Sequence, residues 1–142
     1  MRLIKGGGYL ARASKTVTFT GAANLGAVGN VPIFTVTGEV QILSLVPFCT
    51  VNLDSTTGTI ALGVTSATTL FLAATTATAI DANEFWIDAT TPAPNGIALP
   101  AAFKDIVITD NIVGTVATAA ITAGEVRFDV YYLPLSADGL LS

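Results

Sequence analysis

The sequence predicts an all-β fold, a β-sandwich or jelly-roll-like domain preceded by a flexible N-terminal arm. Three observations carry the prediction. Short runs rich in Val, Ile, Thr and Phe recur at a spacing of about 8 to 12 residues; Gly, Pro, Asn and Asp punctuate them; and no apolar series of useful length repeats at helical spacing.

Residues 1–13 include Gly6-Gly7-Gly8, whose backbone freedom opposes regular structure, so they read as an arm. Residues 14–142 then form a single β domain. In Ser14–Thr20 polar and apolar side chains alternate, which places Val17 and Phe19 on one face of a half-buried strand. The glycine-rich stretch Ala22–Asn30 is a loop. Val31–Thr37 follows as a strand in which Pro32, without an N–H, belongs at a strand start or on an edge.

Val40–Val46 is apolar and β-branched enough for a central strand; Pro47 should end or bend it before Phe48–Leu53 continues. Asp54–Gly58 is turn chemistry, and Thr59–Val64 and Leu70–Ala74 are strands. Ala79–Glu84 is the best candidate for a helical turn, and Phe85–Asp88 for a short strand with a buried aromatic. Thr90–Pro100 is dense in breakers and predicts the longest loop. Three strands complete the domain, at Asp105–Thr109, Gly114–Ala119 and Gly124–Leu133, the last with Val126, Phe128, Val130 and Tyr132 on one face.

Hydrophobic residues make up 51% of the 142 and charged residues 11%, against roughly 25% charged in ordinary soluble proteins. So uncharged a surface suits either a membrane or burial by partners. The apolar stretches Val40–Val51 and Leu70–Ala74 are too short for a spanning helix of about 20 residues, and the few aromatics would barely supply the girdles of a membrane barrel. Burial in an assembly is the better reading. Met1-Arg2-Leu3-Ile4-Lys5 runs into three glycines instead of an apolar stretch, so no signal peptide is expected and synthesis in a cytoplasm is implied.

Charge is distributed unevenly. Arg2, Lys5, Arg12 and Lys15 all precede the first acid, Glu39, and beyond it only Lys104 and Arg127 oppose the 10 carboxylates. A basic N-terminal segment on an acidic body suits docking to an acidic neighbour; a solvated terminus is the alternative. Arg2, Lys5, Arg12 and Lys15 are therefore the candidate contact residues.

Catalytic chemistry is scarce. The chain has no histidine, which removes Ser-His-Asp and Cys-His sites in their usual form and the commonest zinc ligand. Asp81, Glu84 and Asp88 are close enough in sequence to suggest a carboxylate pair, yet read more simply as solvated turn and strand ends. Asp105, Asp110 and Asn111 lack calcium-loop spacing and read as turn residues. The lone Cys49 lies in an apolar run and is expected to be a buried small hydrophobe. Neither triglycine nor Gly26-x-x-Gly29 precedes a Lys-Ser/Thr pair, so phosphate cradling is unsupported. Six basic residues on an acidic body argue against nucleic-acid binding. No enzyme activity and no cofactor are expected.

The stretches Lys15-Thr-Val-Thr-Phe-Thr-Gly-Ala-Ala-Asn-Leu-Gly-Ala-Val-Gly29 and Ala120-Ile-Thr-Ala-Gly-Glu-Val-Arg-Phe-Asp-Val-Tyr-Tyr-Leu-Pro-Leu-Ser-Ala-Asp-Gly139 resemble small virion structural proteins of tailed bacteriophages, of the head decoration (cement) type. The resemblance implies a virion protein, made in the host cytoplasm, that forms a homotrimer, binds the major capsid protein on the outer capsid surface and stabilises the head. It assigns no site residue. Two other readings stand beside it: a tail or baseplate structural protein, and a carbohydrate-binding module with Trp86, Tyr131 or Tyr132 as a stacking platform.

Overall fold

A computed structural model of the chain describes residues 2–3, 9–88 and 94–142. The strands are β1 (Arg2–Leu3), β2 (Tyr9–Thr18), β3 (Gly29–Phe34), β4 (Val36–Thr37), β5 (Val40–Ser55), β6 (Thr59–Val64), β7 (Ala67–Thr76), β8 (Glu84–Phe85), β9 (Ile106–Ile108), β10 (Ile112–Ala117), β11 (Ile121–Pro134) and β12 (Leu140–Leu141). The larger sheet runs β1-β2-β11-β5, and β8 and β9 both pair with the far edge of β5. The smaller sheet runs β3-β10-β6-β7, and β4 pairs with β12. Every pairing among the described strands is antiparallel. The result is the expected all-β sandwich, its core filled from the inner faces of both sheets by Val17, Leu45, Val126, Phe128 and Val130 on one side and Val31, Ile60, Leu62, Ile112 and Val116 on the other.

Period-two patterning explains the strongest element. Along β11 the residues Val126, Phe128, Val130 and Tyr132 are buried, while Glu125, Arg127, Asp129 and Tyr131 point outward. The register of β5 against β11 shifts at four places, two of them within its central part. Tyr132 faces Ile42 and Tyr131 faces Ser44, leaving Leu43 as an extra residue; Val126 faces Cys49 and Glu125 faces Val51, leaving Thr50 extra. Such bulges bend and twist a strand, which lets sixteen residues curl around the core without a break.

Several expectations shift. The first long strand starts at Tyr9 instead of Ser14, and Arg2–Leu3 folds back onto Leu10 and Tyr9. Pro47 lies inside β5 and does not end it. Its carbonyl accepts from the Trp86 N–H at 3.0 Å, and because the N and O of one residue share a side of a strand, the missing donor falls on the edge opposite β11. Pro32 sits on the edge strand β3, as expected. The expected helical turn at Ala79–Glu84 is instead a short 3-10 turn at Ala77–Ala79, since the Thr-rich stretch before it stays in β7. Of the loop at Thr90–Pro100, residues 94–100 are irregular; its beginning, like Gly6-Gly7-Gly8, lies outside the described residues.

Trp86 anchors the core. It is fully buried, its indole N–H donates to Thr75 Oγ1 at 2.8 Å, and its ring meets Phe128 edge-on at 6.5 Å. Thr75, also fully buried, donates in turn to the Asp88 carbonyl at 3.2 Å. No buried side-chain N or O among the described residues lacks a partner, as a close-packed interior requires. No described helix is long and apolar enough to cross a membrane.

Candidate docking surface

The outer face of the larger sheet collects the outward residues of β2, β11 and β5, and the ladder register decides what meets there. Asp129 lies opposite Ser14 on β2 and Val46 on β5; Arg127 lies opposite Thr16 and Phe48; Tyr131 lies opposite Arg12 and Ser44. At the centre Asp129 accepts from Arg12 Nη2 at 2.6 Å and Ser14 Oγ at 2.7 Å on one oxygen, and from Arg127 Nε at 2.8 Å on the other. Partial burial pulls the Asp129 carboxyl upward. The bonds from Ser14 and Arg127 and the charges of Arg127 and Arg12 outweigh that pull and hold it below the usual carboxylate range.

Arg127 also lies over the Phe48 ring at 5.2 Å, and Phe48 packs against Phe85 of β8 at 5.0 Å. Glu125 accepts from Thr18 at 3.1 Å and from Thr50 at 2.7 Å. Arg12, Arg127, Glu125 and Asp129 therefore contribute two charges of each sign, which sum to zero, and each is already bonded within the face. The apolar remainder includes Phe48, Phe85, Val46 and the exposed Leu10 and Tyr131. Pairing makes the face nearly neutral, although covering the two guanidinium groups, 53% and 44% exposed, would still cost desolvation.

The candidate basic residues do not converge on this face. Arg12 joins it through Asp129, with half its side chain exposed. Lys15, three residues further along β2, falls on the opposite face by strand parity and is exposed, across the ladder from Phe128. Arg2 belongs to β1, and Lys5 lies outside the described residues. Sequence reasoning missed Asp129, Arg127, Phe48 and Phe85. The signal for the first two was the polar half of the β11 alternation; for Phe48 and Phe85 there was none, because their meeting depends on β8 pairing with β5.

The remaining candidates resolve as structural parts. Asp110 Oδ2 accepts from the Ser66 N–H at 3.2 Å and Asn111 Oδ1 from the Val36 N–H at 2.9 Å, so both shape turns. No cluster of three or more metal-binding side chains occurs among the described residues. Cys49 is fully buried, and desolvation pushes its thiol up to about 11. A stacking platform of Trp86 and Tyr132 is overturned: both are buried, because their positions face the core, and of the three aromatics only Tyr131 is exposed. A groove of about 210 Å³ between Ser66–Leu70 and Val107–Asp110 is below the roughly 300–1,000 Å³ of small-molecule sites.

The chain is thus an antiparallel β-sandwich whose most organised surface is a sheet face. It matches no described sequence family and no curated protein sequence. Among solved structures it is similar to a chain of the "Cyanophage Pam1 capsid asymmetric unit", with a TM-score of 0.50, 20% identity, and coverage of 94% of this chain and 93% of that one. At that identity the similarity is one of fold.

Proposed function

We propose that the protein is a non-enzymatic structural component of a phage virion, a decoration or cement protein that binds the major capsid protein on the outer surface of the head and stabilises it. The observation that carries this reading is the shared fold, over nearly the whole length of both chains, with a chain of a phage capsid asymmetric unit. The low charge content supports it, since 11% charged residues leave much surface suited to burial by neighbours.

In this reading three copies associate through apolar faces of the β body, for which the charge-paired outer face of the larger sheet is suited. The N-terminal residues reach a neighbouring subunit, where Arg2, Lys5, Arg12 and Lys15 pair with carboxylates, Arg12 sharing or exchanging its bond to Asp129. A protein that binds the assembled shell and not free subunits stabilises the shell by mass action.

The test is to mix the purified protein with expanded empty capsids, measure co-sedimentation and the temperature at which the shells disrupt, and determine solution mass by light scattering. Bound protein, a raised disruption temperature and a trimer mass are expected. A soluble monomer without affinity for any viral particle overturns the reading. A chain lacking residues 1–8 and carrying Arg12→Ala and Lys15→Ala should bind more weakly, and more so at low salt; equal binding removes the role of the basic residues.

A further inference from the structure

The ladder between β2 and β11 decides which backbone groups of β2 are left open. Phe19 N–H donates to the Gly124 carbonyl at 2.9 Å, one residue beyond the pairing of Thr18 with Glu125. The N–H and C=O of one residue share a side of a strand, and the side alternates along it. Ala11, Ala13, Lys15 and Val17 therefore also turn theirs toward β11, whereas Arg12, Ser14, Thr16 and Thr18 turn theirs away. The outward row is bounded at both ends, since Leu10 pairs with Arg2 of β1 and the Thr20 N–H donates to the Leu25 carbonyl at 2.7 Å. Between those limits no other described strand pairs with β2.

The other sheet edges are protected. The far side of β5 is covered by β8 and β9. Pro32 lies in β3, and β7 meets β6 through register shifts; a proline or a bulge spoils an edge for further pairing. β2 has neither, because residues 12–18 contain no proline and run against β11 without a shift. They form a straight edge of about 20 Å, on which Arg12, Ser14, Lys15, Thr16 and Thr18 are exposed. Its charge has one sign. No Asp or Glu precedes Glu39, so β2, β3 and the loop between them carry no carboxylate. Arg12 is bonded to Asp129, but Lys15 makes no ion pair with any described residue. An exposed lysine on the core-side face of a rim strand repels another basic edge and selects for the opposite charge.

We propose that the open edge of β2 is a strand-addition seat for an extended acidic segment of a neighbouring virion protein, with a carboxylate of that segment against Lys15. The outward groups of Arg12, Ser14, Thr16 and Thr18 supply the backbone ladder. Lys15, whose own N–H and C=O face β11, falls at a non-hydrogen-bonded position of the added ladder, where facing side chains are closest, so the residue opposite it is chosen by charge. A second copy is the poorer occupant: two β2 edges joined about a two-fold axis bring Arg12 and Lys15 of both copies onto one ladder. The inference rests on the virion reading for the source of the segment, and on the edge alone for the seat.

The test has two arms, both with the full-length protein. In the first, the protein is titrated with a capped, threonine-rich peptide long enough to span the row and bearing a central glutamate, and with the same peptide bearing a central lysine, while amide exchange is followed by NMR. The glutamate peptide should slow exchange at Arg12, Ser14, Thr16 and Thr18 and bind roughly tenfold more tightly than the lysine peptide. In the second, variants are mixed with expanded empty capsids. Lys15→Glu should bind roughly tenfold more weakly than the parent, with a gap that shrinks at high salt. Thr16→Pro removes an outward N–H and leaves the β11 ladder intact, and should lose about tenfold or more. Lys104→Glu, exposed just before β9, should bind as the parent does. Trp86 fluorescence and thermal unfolding report that each variant is folded. Unchanged exchange at the four amides with the glutamate peptide, or parent-like particle binding by both β2 variants, overturns the proposal. So does a larger solution mass for Lys15→Met with unchanged particle binding, which makes the lysine only a guard against self-pairing. If the parent binds no particle while the peptide result holds, the virion reading fails and the seat for an acidic strand stands.

Discussion

Asp129→Asn tests whether the charge pairing on the outer sheet face is held as the geometry indicates. Asparagine keeps the size of the side chain and a carbonyl oxygen for Ser14, but removes the negative charge between Arg12 and Arg127, at 2.6 and 2.8 Å. Each pair taken alone, with its guanidinium about half exposed, is worth roughly 0.5 kcal/mol. The shared carboxylate is only 15% exposed, so its bonds are less screened and the loss should total about 1–2 kcal/mol. For a chain of this size that lowers Tm by about 3–8 °C.

The pH dependence supplies the sharper check. The folded state holds the Asp129 carboxyl below its ordinary value. A depressed carboxylate gives stability that is fully present above the unfolded value of about 3.9 and is lost as pH falls through the folded value. Urea unfolding followed by Trp86 fluorescence should therefore show the full gap between parent and variant near neutral pH, and a gap that narrows as acidification carries the solution below the unfolded value and through the folded one. A gap of equal size at both pH values, or none at neutral pH, would refute the argument that this carboxylate is ionised and paired in the folded protein.

Thr75→Val leaves the buried Trp86 N–H without its acceptor at 2.8 Å, which should cost about 1–3 kcal/mol in urea unfolding. Gly26→Ala forces a Cβ against the Ile121 carbonyl at a φ of +118°, so calorimetry should show a loss of more than about 2 kcal/mol. The Cys49 thiol, fully buried and pushed up to about 11, should react with a thiol reagent at mildly alkaline pH only after urea unfolds the chain; its raised value adds stability below the unfolded value of about 8.5 that fades as pH climbs toward 11.

Where one face of a strand meets the core, the sequence was legible. The alternation in Gly124–Leu133 foretold the buried face of β11, and Thr59–Val64 is β6 residue for residue. What failed depended on partners distant in the chain. Tyr9–Leu10 belongs to a strand because β1 pairs with that stretch and β11 with the residues from Ala11 onward, although its local texture joins it to the glycine-rich segment before it. Pro47 is tolerated in mid-strand because of which edge it faces, a property of the sheet and not of the residue. The candidate site shows the same division. Four basic residues were conspicuous as a cluster in sequence, but strand parity sends Arg12 and Lys15 to opposite faces, and the carboxylate that engages Arg12 lies 117 residues away.

Scarcity of charge and placement of charge are separate properties, and the second carries more information about partners. On the outer sheet face the charges are present but bonded to each other, so a partner there would meet a nearly neutral surface with a fixed pattern of donors and rings, a contact whose strength should depend on geometry more than on salt. At the end formed by the β2–β3, β5–β6 and β10–β11 connections the charge is sparse and of one sign, exposed Asp54 and, from the connection after β7, exposed Asp81. The remaining acids are left to the opposite end and the flanks, where like-charge repulsion between copies disfavours stacking through those surfaces. A contact through the outer sheet face and one through the acidic end should therefore differ in their response to salt, weak for the first and strong for the second.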